Sequence, residues 1–94
     1  MKPFSLAVIA GTSEATDLIR MLPESWNITA FAATAYGKTI LEGLPCTVQV
    51  GRLDAEGFRQ ALADADAVAD ASHPFAAEVT RTVRTVCREL KLPY

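Results

Sequence analysis

Phe4 to Leu22, FSLAVIAGTSEATDLIRML, decides how the rest of the chain is laid down. Phe4 to Ala10 is an apolar run broken only by Ser5. It is too short for a membrane span and suits a strand buried on both faces of a parallel sheet. Gly11 ends the run, and Thr12 and Ser13 bring hydroxyls to the place of a helix N-cap. Ala15, Leu18, Ile19 and Leu22 then recur at i, i+3, i+4 and i+7, the apolar stripe of an amphipathic helix. Strand, glycine turn and helix open a βαβ unit. The free N–H groups at the helix start, with the positive end of its dipole, suit an anion such as a phosphate. On these residues alone the plainer reading comes first, that Gly11 makes a tight turn and Thr12 or Ser13 caps, since one glycine is a weaker signal than GxGxxG.

With 94 residues the chain makes one small domain, and half of them are hydrophobic, enough for a real core and too many for disorder. A net charge of −2, with Lys and Arg scattered, argues against nucleic acid or an anionic membrane surface as partner. No secretory signal and no membrane span are expected, and the cytoplasm is the expected location. Cys46 and Cys87 stand far apart without CxxC or Cys/His spacing, which reads as two buried thiols in a reducing compartment and no metal site.

Pro23 closes the first helix. Asn27 to Ala33 reads as a second strand entered through Trp26. It runs into Thr34-Ala35-Tyr36-Gly37-Lys38, where an NAD-binding unit usually carries an acid for the ribose 2′-hydroxyl. Hydroxyls and Lys38 stand there instead, which favours a 2′-phosphate and hence NADPH if a dinucleotide binds; the alternative is a loop with a solvated lysine. A short helix is expected over Lys38 to Leu44. Cys46 to Val50 is a short strand whose alternation marks an edge. After Gly51 and Arg52, Asp54 is a good N-cap, with Leu53 and Phe58 at hydrophobic-staple spacing. Ala67 to Ala71 is the fourth strand. Asp70 in it is costly to bury unpaired and is expected to accept backbone N–H groups of a neighbouring turn. Ser72 or His73 would cap the next helix, with Pro74 in its first turn. That helix keeps an apolar stripe through Ala76, Val79, Val83, Val86, Cys87 and Leu90. Right-handed crossovers and the edge-like third strand predict a Rossmann-like three-layer α/β sandwich with a parallel sheet in the order 3-2-1-4.

Three stretches, AGTSEA at 10–15, GRLD at 51–54 and DASHPFA at 70–76, carry a resemblance that covers essentially the whole chain. With ATAYG at 33–37, they make the sequence resemble the N-terminal half of the precorrin-6A reductase family, NADPH-dependent enzymes of corrin-ring synthesis. DASHPFA is the most specific. Two positions depart, Ala10 where the family commonly has a second glycine and Thr16 where an arginine is common.

The resemblance implies a two-lobed enzyme with NADPH and the tetrapyrrole between the lobes, of which residues 1–94 are the N-terminal NADPH-binding lobe. The chain is therefore expected to be a fragment, a truncated product, or one lobe that needs another chain. Leu92-Pro93-Tyr94 would begin a further strand beside the fourth, and the incomplete edge would favour self-association. By the same resemblance, Gly11, Thr12 and Ser13 hold a phosphate of NADPH. Thr34, Tyr36, Gly37 and Lys38 border its adenosine end with Arg52 nearby, and Ser72, His73 and Pro74 lie near the nicotinamide or the substrate. His73 is the catalytic candidate, because its ordinary pKa suits proton traffic near neutral pH. Its alternative is a capping role, since the hydride comes from the cofactor. Arg52 and Arg81 are the candidates for substrate carboxylates. A non-catalytic nucleotide-binding or regulatory module is the competing function.

Overall fold

A computed structural model describes residues 3–72 and 77–94. Four strands, β1 (Ser5–Ile9), β2 (Asn27–Ala32), β3 (Thr47–Val50) and β4 (Ala67–Asp70), alternate with four helices. These are α1 (Ser13–Met21), α2 (Ala35–Leu41), α3 (Ala55–Ala61) and α4 (Ala77–Leu90). The strands form one parallel sheet in the order β3-β2-β1-β4, as predicted.

The apolar run of β1 explains its central place. Leu6 and Val8 face one side and pack with Ala15 and Ile19 of α1 and Leu41 of α2. Ala7 and Ile9 face the other and pack with Phe58 and Leu62 near α3 and Val83, Val86 and Cys87 of α4. Alternate side chains of a strand point to opposite faces, so a strand apolar at every position needs helices on both. The helices thus cover the sheet in two layers, α1 with α2 and α3 with α4. Val48 of the edge strand β3 is half-buried while Thr47, Gln49 and Val50 are exposed, the wetter surface its alternation predicts. Cys87 is buried, whereas Cys46 is half-buried, less enclosed than expected; both are free thiols.

Several expectations are corrected. The second helix begins at Ala35, earlier than the Lys38–Leu44 expected, so Tyr36, Gly37 and Lys38 lie on a helix and not in a loop. Thr34 starts it, its hydroxyl accepting the Gly37 N–H at 3.2 Å. A glycine in the first turn is what the packing requires: a Cβ on Gly37 would stand 3.0 Å from the Ala32 Cβ. Leu90 is 36% exposed and does not complete the apolar stripe of α4, because the helix ends there. Lys91 takes φ 58°, with its N–H on the Arg88 carbonyl (3.3 Å) and the Leu92 N–H on the Cys87 carbonyl (2.8 Å), a Schellman close without glycine. Leu92 to Tyr94 then run beside β4, where the Val68 N–H donates to the Pro93 carbonyl at 2.9 Å.

Other local readings hold. Asp54 caps α3 through the Gly57 N–H at 2.8 Å, and Leu53 packs against the cluster around Phe58. No helix among the described residues is long and apolar enough to cross a membrane.

Candidate functional site

In a parallel sheet every strand delivers its chain to the same edge, so the turns after all four strands gather there. The order reverses at β1, whose chain leaves toward β2 on one side while β4 lies on the other. Ligands of open α/β sheets bind outside the carboxyl ends of the strands at such a reversal. Here the last row that crosses all four strands runs Gln49, Phe31, Ile9, Asp70. The backbone ladder continues beyond it: the Ala10 N–H donates to the Phe31 carbonyl, Gly51 to Ala32 and Ala71 to Ile9, each at 2.9 Å.

Gly11 and Ser13 are exposed and Thr12 half-buried at this edge. Thr12 is the N-cap of α1 by backbone position, but among the described residues its side chain accepts no capping hydrogen bond. Its hydroxyl instead donates to the Ala71 carbonyl at 2.8 Å, crossing from the turn before α1 to the end of β4. This corrects the plain capping reading of Thr12. Thr34 and Lys38 are exposed, and Tyr36 is 75% exposed, on the opening of α2. No acid stands at the end of β2, where Ala33 and Thr34 lead into that helix. Arg52 is exposed after β3, with β2 between its strand and β1, so it stands about 10 Å along the sheet edge from the crevice. His73 and Pro74 lie outside the described residues.

Ser72 belongs to a cluster that the sequence reading only half reached. From the described residues Asp70 accepts four hydrogen bonds. Ser72 donates two to Oδ1, from its N–H (2.9 Å) and its hydroxyl (2.5 Å). Thr80 of α4 (2.9 Å) and the Tyr94 hydroxyl (2.7 Å) donate to Oδ2. The expected partners were backbone N–H groups; among the described residues one is present and three hydroxyls join it. Burial by itself raises the Asp70 carboxyl, but the bonds from Ser72, Tyr94 and Thr80 outweigh it and hold the group below the usual carboxylate range. Burial and the same Asp70 contact push the Tyr94 phenol up to about 12. The Arg84 guanidinium lies 5.9 Å from the centre of the Tyr94 ring. Thr80 and Tyr94 were missed because they carry no motif. The signal was Asp70 itself, a half-buried carboxylate at the end of an otherwise apolar strand that had to find donors.

The donor set at this edge fits a phosphate-bearing nucleotide: N–H groups in the first turn of α1, the hydroxyl of Ser13, and Lys38 on the opening turn of α2 beyond an acid-free β2 end. Glu14 is the one acid in the first turn of α1, and it is exposed. A hollow of about 90 Å³ between β1, β2 and α3, lined by Ser5, Asn27, Thr29 and Asp64 among others, lies toward the amino ends of the strands, away from these turns.

Residues 5–94 match the family described as Precorrin-6x reductase CbiJ/CobK. The chain belongs to the precorrin-6x reductase family. Among curated relatives, it is 42% identical over 91 residues to the cobalt-precorrin-6A reductase of Methanothermobacter thermautotrophicus, an alignment covering 90% of this chain and 30% of that protein. It is 29% identical over 92 residues to the cobalt-precorrin-6A reductase of Priestia megaterium, covering 95% of this chain and 36% of that protein. The chain thus spans about a third of the length of these relatives. The stretches on which the sequence resemblance rests begin where the strands end. AGTSEA follows β1 and GRLD follows β3 at the carboxyl edge, and DASHPFA starts there on the last residue of β4, its residues 70–72 being described.

Proposed function

We propose that the chain is the cofactor-binding lobe of a precorrin-6A reductase of cobalamin biosynthesis, holding NADPH along the carboxyl edge of its sheet. The observation that carries this reading is the crevice at the reversal of strand order. There β1 and β4 end side by side, and the turns beyond them are joined by the Thr12–Ala71 hydrogen bond. The Gly11-Thr12-Ser13 turn holds the pyrophosphate against the N–H groups and positive dipole end of α1. Thr34, Tyr36, Gly37 and Lys38 border the adenosine, and the absence of an acid at Thr34 together with the charge of Lys38 favours a 2′-phosphate.

Bound NADPH supplies a hydride for an electron-poor C=N or C=C bond of the corrin precursor. The chain's own residues align the two partners and meet the carboxylates of the macrocycle, Arg52 and Arg81 being the candidates. Ser72, Pro74 and His73 belong at the nicotinamide end in this reading, with His73 as the group able to move a proton near neutral pH. Family membership and the acid-free β2 end support the reading.

Titration of the purified chain with NADPH and NADH, followed by nicotinamide fluorescence, tests it. NADPH is expected to bind more tightly, and Gly11→Val to weaken it by placing a branched side chain where the phosphate lies. Equal affinity, or a preference for NADH, rejects the assignment. Reductase activity on adding a chain that carries a second lobe separates an enzyme lobe from a nucleotide-binding module that does not catalyse.

A further inference from the structure

The N-caps of α1 and α2 are both threonine on nearly the same backbone, with φ −138° and ψ 165° at Thr12 and φ −133° and ψ 162° at Thr34. Thr34 uses its hydroxyl on its own helix. Thr12 turns its hydroxyl away from α1 to the Ala71 carbonyl, a residue 59 positions along the chain. The Ala71 N–H is already on the Ile9 carbonyl, so both polar backbone groups of Ala71 are tied to the arm formed by β1 and its turn. The next residue, Ser72, is held from the opposite side by Asp70, which also gathers Thr80 and Tyr94. The short segment from Asp70 to Ser72 is therefore clamped between the turn into α1 and the body of α4.

We propose that Thr12 is a positioning residue, whose hydroxyl fixes the crevice between the turn into α1 and the end of β4 and so keeps the first N–H groups of α1 aimed at the cofactor pyrophosphate. The proposal rests on the nucleotide reading above and adds to it a residue that acts through Ala71. A threonine that only capped its helix would face inward on α1 and leave the two turns free to move apart. Here the cap is forgone for a bond across the crevice, and the first-turn N–H groups keep no competing side chain from Thr12.

Thr12→Val keeps the shape and removes the hydroxyl, while Thr12→Ser keeps the hydroxyl and removes the methyl. Each is titrated with NADPH and with adenosine 2′-monophosphate, which lacks the pyrophosphate, beside a thermal melt. The valine variant is expected to bind NADPH about tenfold more weakly, the effect of one lost hydrogen bond. It should bind adenosine 2′-monophosphate as the wild type does, and the serine variant should restore NADPH binding. Valine binding NADPH as the wild type does overturns the proposal. So does an equal loss for both ligands, a serine variant as weak as valine, or loss of the cooperative melt in valine, each of which marks a merely structural residue. A wild-type chain that binds neither ligand overturns the nucleotide reading itself, and this proposal with it.

Discussion

Replacing Asp70 by asparagine changes the charge at the centre of the four-donor cluster while keeping its shape. The amide oxygen can stay on the Ser72 N–H and hydroxyl, and the amide N–H₂ can turn toward Thr80 and Tyr94, whose hydroxyls accept as well as donate. What is lost is charge assistance. Hydrogen bonds to an ionised group are about twice as strong as neutral ones, whose net worth is about 1 kcal/mol each. Four contacts would lose about 4 kcal/mol on that count. Easier burial of the neutral amide and partial solvent access offset about half, leaving about 2 kcal/mol. For a domain of this size that lowers the melting temperature by about 10 °C.

The pH dependence supplies the control. Because the folded carboxyl of Asp70 is held below its ordinary value, its contribution is present above the unfolded pKa, near 3.9, and is lost as pH falls through the lower folded value. Urea unfolding of both proteins at pH 7 and at stepwise lower pH should therefore show a gap that closes in acid. A gap below about 0.5 kcal/mol at pH 7, or one that persists unchanged into strong acid, refutes the reasoning.

Two further outcomes are expected. The Tyr94 phenol is pushed up to about 12, so the wild type should lose stability as pH rises from about 10 through about 12; Tyr94→Phe, less stable at pH 8, should lack that alkaline loss. Alkaline melts of the two proteins with the same slope over that range would contradict the Tyr94–Asp70 bond. Lys91→Gly should raise stability by about 0.5–1 kcal/mol, because Lys91 holds φ 58°, which costs a side-chain-bearing residue about 1 kcal/mol and glycine almost nothing. Denaturant midpoints measure it, and a destabilised glycine variant would show that the Lys91 side chain contributes more than its backbone strain costs.

The sheet was legible because its signals are local and repeated. An apolar run at every position, as in Leu6 to Ile9, demands a strand covered on both faces. An alternating one, as in Thr47 to Val50, demands an edge, and four such segments joined by helices leave few parallel orders. Asp54 and Phe58 gave the start of α3 by the same local chemistry. The family-specific stretches likewise marked the carboxyl edge, since a parallel sheet sends every strand end to one side.

The start of α2 was less legible, because Tyr36 and Gly37 are weak helix formers; the Thr34 cap starts the helix, and the close approach to Ala32 accounts for the glycine in its first turn. The site's internal wiring was not legible at all. Asp70 advertised a need for donors, but nothing in the spacing pointed to Thr80 or Tyr94, 10 and 24 positions away. Thr12 and Thr34 make the point most directly. They share residue type, cap position and backbone angles, yet one bonds its own helix and the other a distant strand. A hydroxyl goes to the acceptor within reach. For Thr12 that acceptor depends on the pairing of β1 with β4, which sets the Ala71 carbonyl within reach, whereas the Thr34 oxygen accepts from the Gly37 N–H of its own helix.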